Sequence, residues 1–352
     1  MLRMFEDFLD NRGGWLNGEG PDSDIVISTR IRVARNIHDY PFPWKASLSD
    51  KQAIITKVKD TISQIEVMSS SFFVKMDALN SIDRQFLLER HLVSQEHIRS
   101  VRGKALIFSR GEDFSVMINE EDHLRLQVIL SGFDLEKAWI FVNQLDDELS
   151  KYLEFSFSPD LGYLTACPTN VGTALRASCM LHLPGLVLTK KINKILELLA
   201  KLSFTSRGLF GEGTQALGNF FQISNQATLG YSEEEIIDSL KGVVRQVKEN
   251  ELNARESLLD KYRRTLEDSV WRSFGILRNC RLISTKEAFS HLSMLCLGVD
   301  LGIIKDIERS IINNLFVVIQ PAHLQKIESR TLQEEDRDYI RASVIRSRLN
   351  SG

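Results

Sequence analysis

Three short apolar runs with little chain between them do most to limit the folds open to this sequence. Residues 105–109, 115–119 and 124–130 read as strands joined by short turns. Such connections are too short for a crossover helix, so these strands pair antiparallel. Helices flank them. Residues 50–67 place Ile54, Ile55, Val58, Ile62 and Ile65 on one face, and 81–99 and 135–153 read as further helices. Residues 163–166 read as a strand, 173–183 as a helix ended by Pro184, and 217–224 as a strand. Ser232-Glu233-Glu234-Glu235 has the form of a capping box. It opens a helical stretch to about Phe274, with a break expected near 250–253. The rest reads as helix, with starts at Thr285 and Glu334, whereas residues 1–24 read as irregular. The pattern predicts an α+β fold, helices packed on a curved antiparallel sheet, followed by an all-helical region. The boundary is expected between domains 1–257 and 258–352.

Composition narrows the function. The 352 residues suffice for two domains, and 43% hydrophobic with 26% charged residues is ordinary for a soluble protein. With 44 basic and 47 acidic residues the net charge is −3, which disfavours a direct nucleic-acid binder. Cys167, Cys179, Cys280 and Cys296 form no Cys-x-x-Cys pair, so neither a zinc knuckle nor a redox pair is indicated. Scattered cysteines fit a reducing cytoplasm. The acidic start is unlike a signal peptide, and no run of eighteen apolar residues occurs, so a cytoplasmic protein without membrane contact is expected.

The chemistry lies in glutamates set among arginines. Asn119-Glu120-Glu121-Asp122-His123 precedes Arg125, and Arg207-Gly208-Leu209-Phe210-Gly211-Glu212 repeats the association. Arg30 and Arg32 alternate in Ser28-Thr29-Arg30-Ile31-Arg32 and share one strand face. Arg176 follows Cys167-Pro168-Thr169-Asn170-Val171-Gly172-Thr173. Singly, an acid run is more often a solvated loop and an arginine near a glutamate an ordinary ion pair. Jointly, guanidiniums that grip phosphate and carboxylates that grip a guanidinium suit transfer of phosphate onto a guanidinium. The glycine-rich loops of the common nucleotide folds are absent.

The motifs at 119–123, 167–173 and 207–212, in that order along the chain, resemble the phosphagen kinases, the guanidino kinases that include arginine kinase and creatine kinase. The resemblance covers residues ~20 to ~255, including Gly218–Asn225 in outline. It implies a glutamine-synthetase-like sheet and an ATP site cradled by Arg30, Arg32, Arg125, Arg176 and Arg207. The implied nucleotide-binding segments are Ser28-Thr29-Arg30-Ile31-Arg32, Arg176-Ala177-Ser178-Cys179-Met180 and Arg207-Gly208-Leu209-Phe210-Gly211, with His91 also in contact. Glu121 and Glu212 match the carboxylates that orient the acceptor guanidinium. Glu121 is expected to take its proton, although the sequence leaves that choice open. Cys167 matches a reactive cysteine close to the substrate. Mg2+ is implied with ATP, with no protein ligand to the metal assigned.

Within this family the chain is most similar to the bacterial protein arginine kinases. Only 27 residues precede Ser28, too few for the helical domain that small-molecule enzymes carry there. The chain also continues beyond ~260, where those enzymes stop, and Arg337-Asp338-Tyr339-Ile340-Arg341-Ala342 resembles a phosphoarginine-sensing motif. Arg337 and Arg341, four apart on a helix, are expected to share a face with Asp338 adjacent. The resemblance implies direct in-line phosphorylation of arginine side chains on proteins, marking them for a Clp-type chaperone-protease. It also implies a role in stress regulation, a zinc-binding activator (McsA) and a homodimer. A free-arginine phosphagen kinase and a non-catalytic phosphoarginine-binding module remain the alternatives.

Overall fold

A computed structural model describes residue 8 and residues 13–208 and 217–350. Among these residues the strands of the main sheet are β1 (Val26–Arg35), β2 (Phe72–Lys75), β3 (Ala105–Phe108), β4 (Phe114–Ile118), β5 (Leu124–Ser131), β6 (Leu175–His182), β7 (Phe204–Arg207) and β8 (Phe220–Asn225). They form one antiparallel sheet in the order β2-β3-β4-β5-β1-β6-β8-β7. The central strand β1 sets Arg32 opposite Gln127 of β5 and Arg176 of β6.

Alternation gives the sheet two unlike faces. Ile31, Val33, Leu126, Val128, Leu175, Ala177, Cys179, Leu181 and Ile223 are buried on one of them. Helices α1 (Leu48–Gln64), α2 (Ser81–Glu89), α3 (Leu135–Ser150), α4 (Pro184–Leu188), α5 (Ile192–Lys201) and α6 (Glu233–Asn279) follow in chain order. α1 packs Ile54, Ile55, Val58 and Ile62 onto the apolar face, α3 adds Ala138, Val142, Leu145 and Leu149, and α6 adds Ile236, Leu240, Val244 and Val247. Each large aliphatic side chain buried there contributes about 1.5–3 kcal/mol. Both α1 and α6 begin with a complete capping box, at Ser47 and Ser232.

α6 belongs to two cores. Its first half packs on the sheet, while Val270 and Leu277 join a second cluster with Leu292, Leu295, Ile312, Leu315, Ala342 and Ile345. That cluster is built by α7 (Thr285–Asp300), α8 (Arg309–Val318), α9 (Pro321–Ile327) and α10 (Glu334–Asn350). Ile27, Met180 and Phe220 of the sheet's other face join it too, so the helical region closes one end of that face. No helix among the described residues is long and apolar enough to cross a membrane.

Several local expectations change. Residues 173–183 are not a helix. Leu175, Ala177, Cys179 and Leu181 alternate inward as strand β6, and Pro184 opens α4 instead of ending a helix. The helix over 81–99 divides into α2 and a short turn of helix at Gln95–Arg99, and His91 sits between them at φ 59°. The strand over 163–166 shrinks to a ribbon pairing Phe157–Ser158 with Gly162–Tyr163. The irregularity in α6 falls at Tyr262, not at 250–253.

Candidate active site

Strand register gathers the arginines. Because directly paired residues share a face, Arg30, Arg32, Arg125, Arg176 and Arg207 all lie on the face opposite the apolar core. Burial, then the charges of Arg125, Arg176 and Arg207, lower Arg30 to about 10. Burial and the neighbouring Arg30, Arg125 and Arg176 pull Arg32 well below its usual value, and its Nε has no hydrogen-bond partner. Arg176 donates to Thr205 Oγ1 (3.1 Å) and Ser224 Oγ (3.2 Å). Like charges crowded this way cost free energy until an anion arrives, so the face suits a polyanion such as a nucleoside triphosphate.

The acid run separates into three functions. Glu120 pairs with Arg125 at 2.6 Å and accepts from the Ser94 hydroxyl. Burial alone would raise its carboxyl, but Arg125 and Ser94 outweigh burial and hold it at about 2. Asp122 accepts from Asn36 Nδ2 (2.6 Å) and from the Ala166 amide (2.7 Å), which ties the run to the cysteine loop. Glu121 is exposed to solvent and lies against the Cys167 side chain, which works to lower its carboxyl. Partial desolvation, then the Asp122 charge, outweighs this and raises it above the usual range. Cys167 Sγ lies 3.0 Å from Thr169 Oγ1. Thr228 Oγ1 holds the loop by donating to Thr169 O (3.0 Å) and Val171 O (2.8 Å). At Gly172, φ is 111° and an added Cβ would meet Thr228 O at 2.3 Å, so only glycine fits.

Comparison with known proteins identifies the arrangement. The ATP:guanido phosphotransferase C-terminal catalytic domain matches residues 53–254, and the C-terminal domain of the protein-arginine kinase McsB matches 263–352. The chain belongs to the ATP:guanido phosphotransferase family. It is 47% identical over 340 residues to a protein-arginine kinase of Halothermothrix orenii, covering 97% of each chain. It is 45% identical over 348 residues to one of Brevibacillus brevis, covering 98% of this chain and 97% of that one. Among solved structures, lombricine kinase matches with TM-score 0.60 and 25% identity over 68% of this chain and 70% of its own. The duplicated taurocyamine kinase of Schistosoma mansoni matches with TM-score 0.61 and 26% identity over 67% of this chain and 34% of its own. The chain thus spans about a third of that duplicated enzyme.

The segments expected from the sequence to bind nucleotide are only half presented to this face. Ser28, Arg30, Arg32, Arg176, Ser178 and Met180 face it. Thr29, Ile31, Ala177 and Cys179 point the other way and are fully buried, so they reach a ligand through backbone at most. Burial pushes the Cys179 thiol up to about 12. His91 packs edge-on to Trp15, with ring centroids 5.1 Å apart, and burial and Arg30 lower it to about 3. Gly208 follows Arg207, whereas Leu209, Phe210, Gly211 and Glu212 lie outside the described residues.

Two pockets open on this face. One is lined by Arg32, Arg125, Arg176, Asn170, Asn225 and Thr228. The other, more apolar, is lined by Arg30, Ser28, His91, Phe220, Phe316 and Gln320. Sequence reasoning missed Trp15, Phe316, Val317 and Gln320, because no local pattern joins residues so distant in the chain to Arg30.

The C-terminal motif is also only partly presented. Arg341 is buried, so it does not share an accessible phosphoarginine-binding face with Arg337 as the sensing expectation requires. Its Nε donates to Ile319 O (2.9 Å) and its Nη1 to Ile283 O (2.8 Å), with Asp338 as a further partner. α10 meets the end of α8 there, so the guanidinium is consumed in packing. Arg337 and Asp338 remain partly exposed. His182, Cys296 and Asp300 approach one another within 4.8 Å, but Asp300 is taken by Arg255 and Arg309, so no metal is assigned to them.

Proposed function

We propose that this chain is an ATP-dependent protein-arginine kinase that moves the γ-phosphate directly onto a guanidinium nitrogen. The observation that carries the reading is the five-arginine face, with Glu121 and the Cys167 loop beside Arg125. The arginines hold the triphosphate and neutralise the charge shared by attacking and leaving groups. Glu121 orients the acceptor, and its carboxyl, raised above the usual carboxylate range, is the more readily protonated for that. The N–P bond forms as the P–O bond to ADP breaks, and the guanidinium proton passes to Glu121. The family resemblance assigns the second orienting carboxylate to Glu212. Cys167 tunes the acceptor's surroundings and forms no covalent intermediate. Mg2+ accompanies ATP and offsets phosphate charge. Glu120 and Asp122 are already committed to Arg125, Asn36 and the Ala166 amide, so phosphate oxygens and water would hold the ion.

The remaining features follow from the same reading. The phosphoarginine-sensing site is Arg337 and Asp338, with Arg341 fixing Asp338 from behind. The domain boundary falls near 258, supported by the change of core along α6. A homodimer, a zinc-binding activator (McsA), hand-over of marked proteins to a Clp-type chaperone-protease, a role in stress response and a cytoplasmic location complete it.

The test is incubation with magnesium-ATP and two acceptors, free L-arginine and an unfolded arginine-rich protein, with Glu121→Ala as control. Mass spectrometry under conditions that keep P–N bonds locates the phosphate. Phosphate on protein arginines, absent from the control, is expected. Phosphate on free arginine alone would overturn the protein-kinase reading. No transfer even with the zinc-binding activator added would overturn the enzyme reading.

A further inference from the structure

The strand that carries Arg30 and Arg32 ends at Arg35, and the residue after it, Asn36, is buried. Its side-chain amide is shared among three groups on two other segments. Nδ2 donates to Asp122 Oδ1 at 2.6 Å and to Leu164 O at 3.0 Å, and Oδ1 accepts from the His123 amide at 2.9 Å. Both amide hydrogens and the carbonyl oxygen are thus engaged. Turning the amide over would set its oxygen against a carboxylate and a carbonyl, and its nitrogen against an N–H, so the partners admit one orientation. Main-chain bonds run alongside. Ser156 N donates to Asn36 O at 2.7 Å, Leu164 N to Ser156 O at 2.9 Å, and Ile37 N to His123 Nδ1 at 3.0 Å.

The two segments gathered here bear the groups of the acceptor side. Asp122 and His123 directly follow Glu121, and Leu164 lies three residues before Cys167. The Asp122 oxygen that takes the Asn36 amide also takes the Ala166 amide at 2.7 Å. The acid run, the cysteine loop and the end of β1 therefore meet at one buried point. Arg32 stands four residues earlier on the same strand. Glu121 itself is exposed, so its place is set by the neighbours that follow it in the chain and not by packing around its own side chain. In-line transfer needs the acceptor nitrogen roughly 3–3.5 Å from phosphorus, and an error of about 1 Å costs about 10²-fold in rate. Asn36 is the side chain through which both acceptor-side segments are referred to the strand that holds the phosphate-facing arginines.

We propose that Asn36 is a positioning residue for phosphoryl transfer, holding Glu121 and the Cys167 loop in register with Arg30 and Arg32 by acting through Asp122, His123 and Leu164. This rests on the transfer chemistry proposed above. Without the Asn36 amide, the His123 N–H and the Leu164 carbonyl lose their buried partner, and Asp122 keeps only the Ala166 amide. The acceptor side is then free to shift against β1, whereas the arginines keep their places in the sheet ladder.

The experiment uses the full chain, wild type and Asn36→Ala, at a temperature where melting curves show both fully folded. Initial rates on an unfolded arginine-rich protein give kcat and the KM for magnesium-ATP, and calorimetry gives the Kd for magnesium-ATP. The variant is expected to lose about 10²-fold in kcat while KM and Kd for ATP stay unchanged. Hydrogen exchange is a readout that needs no turnover. The amides of His123 and Ala166 are expected to exchange faster in the variant, and those of β1 at the wild-type rate. Normal kcat in the folded variant would overturn the proposal and leave Asn36 a stabilising residue only. Loss of kcat and ATP affinity together would overturn it too, as would a fall in kcat with exchange unchanged at both amides. If Asn36→Ala does not fold, Asn36→Ser takes its place. A single hydroxyl cannot serve all three partners, so a smaller fall in kcat at unchanged ATP affinity is expected, and the same outcomes decide. Wild-type protein that transfers no phosphate, even with the zinc-binding activator, would overturn the transfer reading and the proposal with it.

Discussion

Within a single strand, arginine is used in two opposite ways. Arg35, the last residue of β1, points to the apolar face, where Asp146 of α3 accepts from its Nε at 3.0 and 3.1 Å and from its Nη2 at 2.6 Å. The ring of Tyr163 covers it at 3.4 Å. Arg30 and Arg32 point to the other face and meet further guanidiniums. One arginine has its counter-charge built into the fold, and the other two await theirs from a ligand. Stability and function are thus separated by the pleat of one strand.

The comparison breaks most visibly if both kinds are truncated. Arg35→Ala leaves Asp146 buried without its partner and is expected to cost roughly 3–5 kcal/mol of stability. Arg32→Ala removes a like charge from a crowd, so its melting temperature is expected to hold or rise. Its phosphoryl transfer should fall roughly 10²–10³-fold. Thermal melts and initial rates on the two variants decide. A destabilised Arg32→Ala with normal rates would reverse the assignment.

Glu121 sharpens the contrast among acids. Glu120 is held low by Arg125, whereas burial and Asp122 raise Glu121. Ionised Glu121 is the form that accepts a proton, so kcat/KM is expected to fall as pH drops through an apparent pKa above the ordinary 4.5. Glu121→Gln should lose roughly 10²-fold and flatten that limb of the pH–rate profile. An unchanged acid limb in Glu121→Gln would assign the proton to another group.

How much of this was legible beforehand depends on the range of the interaction. The acids, the cysteine loop and the cradle arginines were readable because each motif is local and their order carries a resemblance. The sheet's antiparallel core was readable from runs too close together for crossovers. Strand β6 was misread because Ala177 and Met180 favour helix, whereas pairing with β1 and β8 on both sides decides for strand. The sorting of Glu120, Glu121 and Asp122 depends on Arg125, Cys167 and Asn36, and Asn36 and Cys167 are far from the run in sequence. The shared face expected for Arg337 and Arg341 left the burial of Arg341 unforeseen, because helical spacing is blind to what lies opposite.

That pair repeats the β1 contrast on a helix. Arg341→Ala strands the Ile319 and Ile283 carbonyls and Asp338, and is expected to cost about 1–3 kcal/mol and lower the melting temperature. Arg337→Ala should leave stability and basal transfer unchanged while removing stimulation by phosphoarginine. Stimulation is measured as the ratio of rates with and without added phosphoarginine. Loss of basal activity equal to loss of stimulation would count against a sensing site.

The smallest effect tests the face assignment itself. Cys179 lies inside the β6 segment proposed to bind nucleotide but points into the apolar core, where burial keeps its thiol at about 12. Cys167 lies in the loop beside Glu121 and is partly exposed. Thiolates are the reactive form, so iodoacetamide at neutral pH is expected to label Cys167 and spare Cys179 in the folded protein. Cys179→Ala removes one small buried group, costs about 1 kcal/mol, and leaves ATP affinity unaltered. A Cys179→Ala variant that lost ATP affinity as Arg32→Ala does would mean that both faces of β6 serve the nucleotide. Strand alternation would then not be what divides stability from function here.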